Sequence, residues 1–398
     1  MKNVHRSAPS LGLIITLVGF PQISESIFTP VLPQLQKALQ VSASRVQLTM
    51  SWYFIAFAIG VLIWGQLADR FGRRPTMLAG IAIYLIGNLG LSWSPTFDWL
   101  LLSRLVQAFG ASAGSVITQT MMRESFSGII GAKIFAKTSA AMALAPALGP
   151  LIGGCLQLYW GVHSVFTALV TLAVAVGGYA WARLPETQPV NATPVRPRHL
   201  QLCLRLLRDP VAWTYGLLIG GINGILFSYY AEAPFIFMTH FGFSSVQYGW
   251  LGLVLAAASL LGAVLVNRLL TWWAPEQLAW SGLTLSVVGC GSWLLAAKWQ
   301  LVTPMLLAIF ITFLGLNITL PNALNRALVG YEAVMGSASG WFSLAYYLLV
   351  SAITWGMSGL HNGQILTLPE YILALCTGML LIFSRLRLAQ RRPINLKE

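Results

Sequence analysis

Residues 46–75 read VQLTMSWYFIAFAIGVLIWGQLADRFGRRP, and they contain the two kinds of segment that recur along this chain. Residues 47–68 carry no charged side chain, and about 20 such residues are enough for one helix to cross the hydrocarbon core of a bilayer. The loop that follows carries three arginines. The stretch therefore predicts a membrane-spanning helix that ends at a basic loop.

The composition of the whole chain excludes a soluble protein. Of its 398 residues, 57% are hydrophobic and 9% are charged, and the mean hydropathy is +0.72. A soluble domain carries about 25% charged residues, so this chain has too few to cover a water-facing surface. We predict an all-α membrane protein. Its twelve predicted transmembrane helices lie at about 11–34, 47–68, 75–93, 98–122, 134–158, 162–184, 211–238, 246–269, 277–297, 302–325, 335–358 and 368–388.

The basic residues predict how these helices are oriented. An even number of spans places both termini on one side of the membrane, and the loops on that side hold 20 of the 24 lysines and arginines. Cytosolic loops of membrane proteins are enriched in these residues. Both termini are therefore predicted to be cytosolic, with the protein in the inner membrane. The net charge of +13 then reflects topology, and nucleic acid is not expected as a partner.

The longest polar stretch divides the chain near its midpoint. Residues 185–210 read PETQPVNATPVRPRHLQLCLRLLRDP, which is rich in proline and arginine and typical of a linker. They are predicted to join two pseudo-symmetric six-helix bundles, residues 1–184 and 211–398. Many transporters have such a duplicated organisation.

The loop at residues 65–75 combines small and charged residues at a distinctive spacing. Gly65 allows close helix approach and Gly72 permits a tight turn, whereas Asp69 can cap a helix or pair with an arginine such as Arg70 or Arg73. An ordinary basic loop is the alternative interpretation, and it does not explain the spaced glycines and aspartate. The loop resembles the major facilitator superfamily signature G-x-L-a-D-r-x-G-r-[rk].

Predicted span 4 is similar to a second signature of the same superfamily, at Arg104 and Gln107. The two residues are three positions apart and share a helix face. An arginine inside a span normally faces protein or a water-filled cavity. The alternative is an interfacial arginine whose charged end reaches the membrane surface.

A third stretch, APALGPLIGG at residues 145–154, lies in predicted span 5. It is similar to the G-P-x-x-G-G motif of proton-coupled antiporters, which implies export. Small residues also allow tight helix packing, so packing alone is the alternative. The residues that match the motif are Gly149, Pro150, Gly153 and Gly154.

The first half of the chain resembles the bicyclomycin-resistance (Bcr/CflA) branch of the drug:proton antiporters. The resemblance rests on residues 46–75, on RLVQAFGASAG at 104–114 and on MALAPALGPLIGG at 142–154, and in the second half mainly on EAPFIF at 232–237. It implies two six-helix bundles around a central cavity, alternating access, and exchange of protons for a small molecule.

Glu25 is the first candidate for the proton carrier. Relatives in that branch tend to have an aspartate at the position of Ser26, whereas here the acid lies one residue earlier, rotated by about 100° on a helix. A carboxylate can carry protons if burial favours its neutral form and water favours its charged form. A structural carboxylate paired with Arg104 is the alternative. Arg104 and Glu232 are the other candidates for proton coupling; Glu232, predicted near the outer mouth, is a rim residue in the alternative interpretation. Glu124 belongs either to an inner-gate cluster or to a solvated loop.

Polar and aromatic residues in the spans expected to line the cavity are candidates for substrate binding, because such sites are mostly apolar with a few polar groups. Tyr53 occupies the slot of a cavity tyrosine in similar exporters. Lipid-facing or helix-packing positions are the alternative for each aromatic. The other candidates are Asn223, Tyr229, Tyr230, Asn317, Trp341 and Tyr346. His163, His240 and His361 fall in predicted outer loops and receive no role.

Motifs for catalysis and ion conduction are missing from the sequence, which has no H-E-x-x-H, G-x-S-x-G, phosphate-binding loop or selectivity filter. Four cysteines lack the spacing of a metal site. We therefore predict neither an enzyme nor a channel, and no metal or cofactor. The predicted function is proton-coupled multidrug efflux by a monomer whose partners are a small-molecule substrate, protons and the lipid bilayer. The alternative is a physiological exporter of a siderophore or metabolite on the same fold.

Overall fold

A computed structural model describes residues 8–126, 128–188, 199–331 and 335–391. Within these ranges the chain forms helices joined by short loops, and they contain no strand. The predicted all-α class is confirmed. The α-helices are α1 Leu11–Ser26, α2 Leu32–Ala38, α3 Ala43–Phe71, α4 Arg73–Ser92, α5 Phe97–Ser125, α6 Gly128–Trp160, α7 Val162–Arg183, α8 His199–Arg208, α9 Pro210–Pro234, α10 Ser245–Leu269, α11 Pro275–Lys298, α12 Val302–Arg326, α13 Met335–Leu360 and α14 Thr367–Arg391.

Eleven helical segments in the described ranges are long and apolar enough to cross a membrane. The remaining predicted span, at 134–158, corresponds to α6, which has 33 residues and includes side chains outside the described part. Each of the twelve predicted spans thus has a helical counterpart.

Prolines split the first predicted span. α1 ends at Ser26 and α2 begins only at Leu32, after a 3-10 turn at Thr29–Val31. Pro30 and Pro33 have no N–H to donate, and their rings clash with the preceding helical turn. The single helix predicted at 11–34 is therefore two helices with a 3-10 turn between them.

The predicted linker at 185–210 is partly helical. Residues 189–198 lie outside the described residues, and α8 covers His199–Arg208. Asp209 then caps α9, because its Oδ1 accepts hydrogen bonds from the backbone N–H groups of Val211 (2.9 Å) and Ala212 (3.2 Å). The boundaries of the two halves at 184 and 211 stay a prediction.

The membrane-spanning helices form two bundles. α1 and α3–α7 pack against one another, as do α9–α14. Glycines bring helices together at equivalent places in both bundles, since Gly80 of α4 meets Gly110 of α5, and Gly282 of α11 meets Gly315 of α12. A Cβ atom at any of these positions would overlap the facing helix. The repetition of this contact reflects the predicted pseudo-symmetry.

Two helix pairs, α3 with α13 and α6 with α10, join the bundles. We call the end of the molecule where Arg73 and Glu124 lie the basic end. The end where Gln47 and Glu232 lie is the opposite end.

Candidate functional site

A cavity of about 470 Å³ lies between the two bundles. Its walls come from α1, α5, α6, α9, α10, α12 and α13, and none of the described residues that line it carries a charge. Met122 and Leu324, near the basic ends of α5 and α12, are part of its lining. Its size and largely apolar walls match those of small-molecule sites.

Some of the predicted substrate-binding residues line this cavity, namely Asn223, Tyr230, Asn317 and Tyr346. Tyr53 and Tyr229 are fully buried instead. Tyr53 stacks on Phe57 with ring centroids 6.0 Å apart, and Tyr229 packs edge-on against Phe313 at 5.4 Å. Trp341 packs against the buried face of α8 at the basic end. A direct role of these three in substrate binding stays a prediction.

Glu25 lies on the cavity side of α1. Gln22, three residues earlier, lines the cavity, and residues three or four apart share a helix face. Glu25 is 2% exposed, and it forms no hydrogen bond or ion pair with any described residue. It is close enough to Arg104, Tyr346 and Tyr347 for electrostatic interaction. The predicted proton carrier is thus a buried, unpaired acid beside the cavity.

Arg104 is enclosed in the first bundle. Its guanidinium carbon lies 4.5 Å from the ring centroids of both Phe28 and Tyr53, and its Nη1 donates a hydrogen bond to Gln107 Oε1 at 2.6 Å. The residue is 0% exposed, so its side chain does not reach the membrane surface. Among the described residues its charge has no carboxylate within ion-pair distance.

Gln107 extends this polar cluster to two more helices. Its Nε2 donates to Asn88 Oδ1 of α4 (2.5 Å) and to Ser24 Oγ of α1 (3.2 Å). Ser24 directly precedes Glu25, so hydrogen bonds connect α4 and α5 to the segment of α1 that carries the acid. Sequence reasoning missed Asn88 and Ser24, since a single small polar residue in an apolar span has no distinctive spacing.

Arg73 is the centre of an ion-pair cluster at the basic end. Its Nη1 lies 2.6 Å from Asp69 Oδ1 and its Nη2 lies 2.6 Å from Glu124 Oε1. Glu124 therefore belongs to a charge cluster within the first bundle, and the solvated-loop alternative does not hold. Arg70 instead lies over the ring of the neighbouring Phe71.

Glu186, which sequence reasoning missed, completes the motif loop. Its carboxylate accepts from the backbone N–H groups of Arg73 (2.9 Å) and Arg74 (3.0 Å), which are free donors because they begin α4. Burial by itself raises the pKa of Glu186. Hydrogen bonds from backbone N–H groups outweigh burial and lower the pKa, and the bond from Gln188 contributes most. The available signal was an acid directly after predicted span 6 on an otherwise basic side.

Gly72 leaves room for this carboxylate. Its φ is 101°, in a region that only glycine adopts readily. A Cβ atom there would lie 2.6 Å from Glu186 Oε2. Gly65 has a looser environment, because the nearest atom to its virtual Cβ is on Val116 at 3.9 Å.

Three buried or partly buried side chains join the two bundles at the opposite end. Glu232 of α9 accepts a hydrogen bond from Gln47 Nε2 of α3 at 2.5 Å. Its carboxylate also lies 2.9 Å from Nδ1 of His361, directly after α13. Glu232 is 1% exposed, whereas a residue at the rim of the mouth would be accessible to water. His361 does lie beyond its helix as predicted, but its partners were missed because they are distant in the chain.

Hydrogen bonds between α3 and α13 close the same region. Ser351 Oγ donates to Ser51 O at 2.8 Å, and Ser358 Oγ donates to Ser44 O at 2.5 Å. The bundles are thus joined at the opposite end, and the cavity extends towards the basic end.

The residues that match the antiporter motif form close contacts on two sides of α6. Gly149 and Gly153 face Ser26, the last residue of α1, and Ile27, which follows it, and a Cβ would overlap those residues. Gly154 faces the backbone carbonyl of Ser245 in α10, which belongs to the other bundle. The motif therefore includes a contact between the bundles.

Comparison with known proteins identifies relatives along most of the chain. Residues 14–354 match the profile of the Major Facilitator Superfamily. An uncharacterized transporter of Rickettsia bellii is 33% identical, over 89% of this chain and 90% of its own length. A chloramphenicol resistance protein of Pseudomonas aeruginosa is 28% identical, over 89% and 85%. A bicyclomycin resistance protein homolog of Haemophilus influenzae is 24% identical, over 83% of each chain. The similarity to drug-resistance relatives predicted from sequence is confirmed.

The fold is shared with solved transporters. The crystal structure of a D-xylose-proton symporter superimposes with a TM-score of 0.76 at 16% identity and covers 93% of this chain and 96% of its own. At this identity the likeness shows the fold alone.

Proposed function

Because the chain belongs to the major facilitator superfamily, we propose that it is a proton-coupled antiporter that exports small amphipathic molecules across the inner membrane by alternating access. It is a transporter rather than an enzyme. We thus propose export as the direction of transport, the proton as the coupling ion and small amphipathic molecules as the class of substrate.

The observation that carries this proposal is the position of Glu25, which is buried without a partner among the described residues beside an uncharged cavity. A carboxylate that alternates between a dry and a hydrated environment binds a proton in the first and releases it in the second. Arg104, enclosed between aromatic rings, supplies a fixed positive charge nearby. Substrate in the cavity and a proton on Glu25 would then occupy the site alternately.

The bundle contacts support alternating access. Release at the opposite end requires separation of α3 from α13 and of α6 from α10, because these pairs join the bundles there. Glu232, Gln47 and His361 would part in that step. The basic end, where the cavity is proposed to open, is the cytosolic end in the orientation predicted from loop charge.

The uncharged walls favour neutral or weakly cationic amphipathic substrates over anionic ones. Asn223, Asn317 and the hydroxyl group of Tyr230 offer hydrogen bonds, and aromatic faces can also hold a cation. A strongly anionic siderophore would leave its charge unpaired in such a cavity. Chloramphenicol, which the name of one relative mentions, is a suitable first compound.

Transport into proteoliposomes with an acidic lumen tests the proposal. Addition of a substrate should collapse the pH gradient with the wild-type protein, while Glu25→Gln should behave like empty liposomes because an amide cannot carry the proton. Asp98→Asn is the matched control, since Asp98 is an exposed acid in a surface ion pair and should retain wild-type transport. Full gradient-driven transport by Glu25→Gln would refute the assigned proton carrier.

A further inference from the structure

A second cavity lies at the basic end, outside the route between the bundles. It has a volume of about 540 Å³ and runs along one side of α8. Tyr331, from the segment between α12 and α13, closes its other side. We call it the α8 pocket, and it is lined by Gln201, Leu204, Arg205, Arg208, Asp209 and Tyr331.

The charge of the α8 pocket is dominated by two arginines. Both carboxylate oxygens of Asp209 accept hydrogen bonds. Oδ1 accepts from backbone N–H groups at the start of α9, and Oδ2 accepts from the Tyr331 hydroxyl at 3.0 Å. Arg205 lies over the Tyr331 ring, 4.7 Å from its centroid. Arg208 forms no hydrogen bond or ion pair with any described residue. The pocket therefore offers guanidinium donors to an anion.

Apolar side chains adjoin these arginines on the exposed side of α8. Leu202 and Leu206 are buried against the bundle, whereas Leu204 and Leu207 are 43% and 51% exposed. Trp213, in the first turns of α9, donates its Nε1 to Leu207 O at 2.7 Å. Helices with basic and apolar sides lie in the membrane interface, and tryptophans are enriched at the same depth.

We propose that the α8 pocket binds an anionic phospholipid. Guanidinium groups pair with phosphate oxygens through parallel hydrogen bonds, so Arg205 and Arg208 would hold the phosphate of the headgroup. The acyl chains would cover Leu204 and Leu207, which free phosphate would leave exposed to water. Basic segments next to a membrane are attracted to anionic lipids by the same charges.

Titration of the full-length protein in neutral detergent tests this site. Phosphatidylglycerol and phosphatidylcholine with identical acyl chains are compared by native mass spectrometry. Phosphatidylglycerol and inorganic phosphate are also titrated in a parallel thermal-unfolding assay. Phosphatidylglycerol should bind more tightly than phosphatidylcholine. Each arginine near the headgroup contributes about five-fold in affinity, so Arg205→Gln with Arg208→Gln should lose roughly 30-fold. Phosphatidylcholine should lose much less affinity, because its choline cation offsets the charge of its phosphate.

The control variant is Arg183→Gln with Arg268→Gln, which removes two exposed arginines from the basic ends of α7 and α10. It should keep phosphatidylglycerol binding. Arg208→Gln alone should lose about five-fold, and it should fold normally because the exposed Arg208 forms no hydrogen bond or ion pair with any described residue. Equal affinity for both lipids, unchanged binding in Arg208→Gln, an equal loss in the control, or stabilisation by inorganic phosphate equal to that by the lipid would overturn the proposal.

Discussion

At the scale of single residues, two arginines lie over aromatic rings but differ in burial. Arg104 lies between Phe28 and Tyr53 and is 0% exposed. Arg45 lies 5.0 Å from the Phe97 ring, and its side chain is 51% exposed. A cation over an aromatic ring contributes about 0.5–1 kcal/mol at an exposed site and about 2 kcal/mol or more when desolvated. The guanidinium group of the buried Arg104 should therefore stabilise the fold more than that of the exposed Arg45.

We expect Arg104→Lys to lower the free energy of unfolding by about 2 kcal/mol or more, because an ammonium group cannot stack between two rings and reach Gln107 at once. Arg45→Lys should cost less than about 1 kcal/mol. Thermal unfolding in detergent compares the two variants. Equal losses would show that the enclosed geometry of Arg104 contributes nothing beyond its charge.

Gly72 provides a second prediction at this scale. Gly72→Ala introduces both backbone strain at φ 101° and a clash with Glu186 Oε2. Gly161→Ala is the matched control, because φ is 80° there and nothing lies within 4 Å of its virtual Cβ. Strain costs about 1–3 kcal/mol in either variant, so thermal unfolding should show a larger loss for Gly72→Ala.

The excess loss in Gly72→Ala should disappear when Glu186 is also replaced by alanine, since the carboxylate that clashes is then gone. If Gly72→Ala and Gly161→Ala lose equal stability, the contact between the motif loop and Glu186 does not stabilise the fold.

At the scale of helices, α6 depends on small residues to contact α1 and α10. Gly154 meets the backbone carbonyl of Ser245, and a backbone atom cannot move aside like the end of a flexible side chain. The added methyl group of Gly154→Ala should therefore separate α6 from α10. Overpacking of this kind typically destabilises a protein by about 1–3 kcal/mol. Here it should destabilise the conformation that is closed at the opposite end.

We expect Gly154→Ala to increase the reactivity of a cysteine at Ser358 towards a membrane-impermeant maleimide, because Ser358 is buried between the bundles at 1% exposure. The partly exposed Cys155 and Cys203 are replaced by serine in all variants. Gly178→Ala, with nothing within 4 Å of its virtual Cβ, should leave the reactivity unchanged. Unchanged labelling in Gly154→Ala would contradict a gating contact at this glycine.

At the scale of the whole molecule, two bundles are joined at one end and enclose a cavity. Gln47 Nε2 of the first bundle lies 3.3 Å from His361 Nδ1, beyond the last turn of α13 in the second. Arg45 and Asp98 form an ion pair at 3.0 Å at the same end, but both belong to the first bundle. The two pairs therefore differ in whether they cross the boundary that must open.

Cross-linking of cysteines at Gln47 and His361 with a short bifunctional thiol reagent should abolish transport, and cleavage of the linker should restore it. The same treatment of cysteines at Arg45 and Asp98 should leave transport intact, because no relative movement of the bundles is blocked. Continued transport by the cross-linked Gln47 and His361 variant would exclude opening at this end.

Much of the fold could be predicted because hydrophobicity and charge are properties of single residues that accumulate along the chain. The spans, the all-α class and the candidates Glu25 and Arg104 follow from apolar runs and from charges inside them. The break after Ser26 was missed, although Pro30 and Pro33 are visible in the sequence, because the apolar run continues through them.

The sequence by itself thus determined a membrane-spanning chain with its basic residues on one side and a few ionisable groups in apolar surroundings. Only the tertiary structure decided their partners. Glu186 caps α4 from 113 residues away, Glu232 contacts His361 across 129 residues, and Arg104 lies between Phe28, just after α1, and Tyr53 of α3. These contacts depend on how helices are packed and rotated against each other, which is set by many small, distributed contacts such as those of Gly80 and Gly154 rather than by any local pattern.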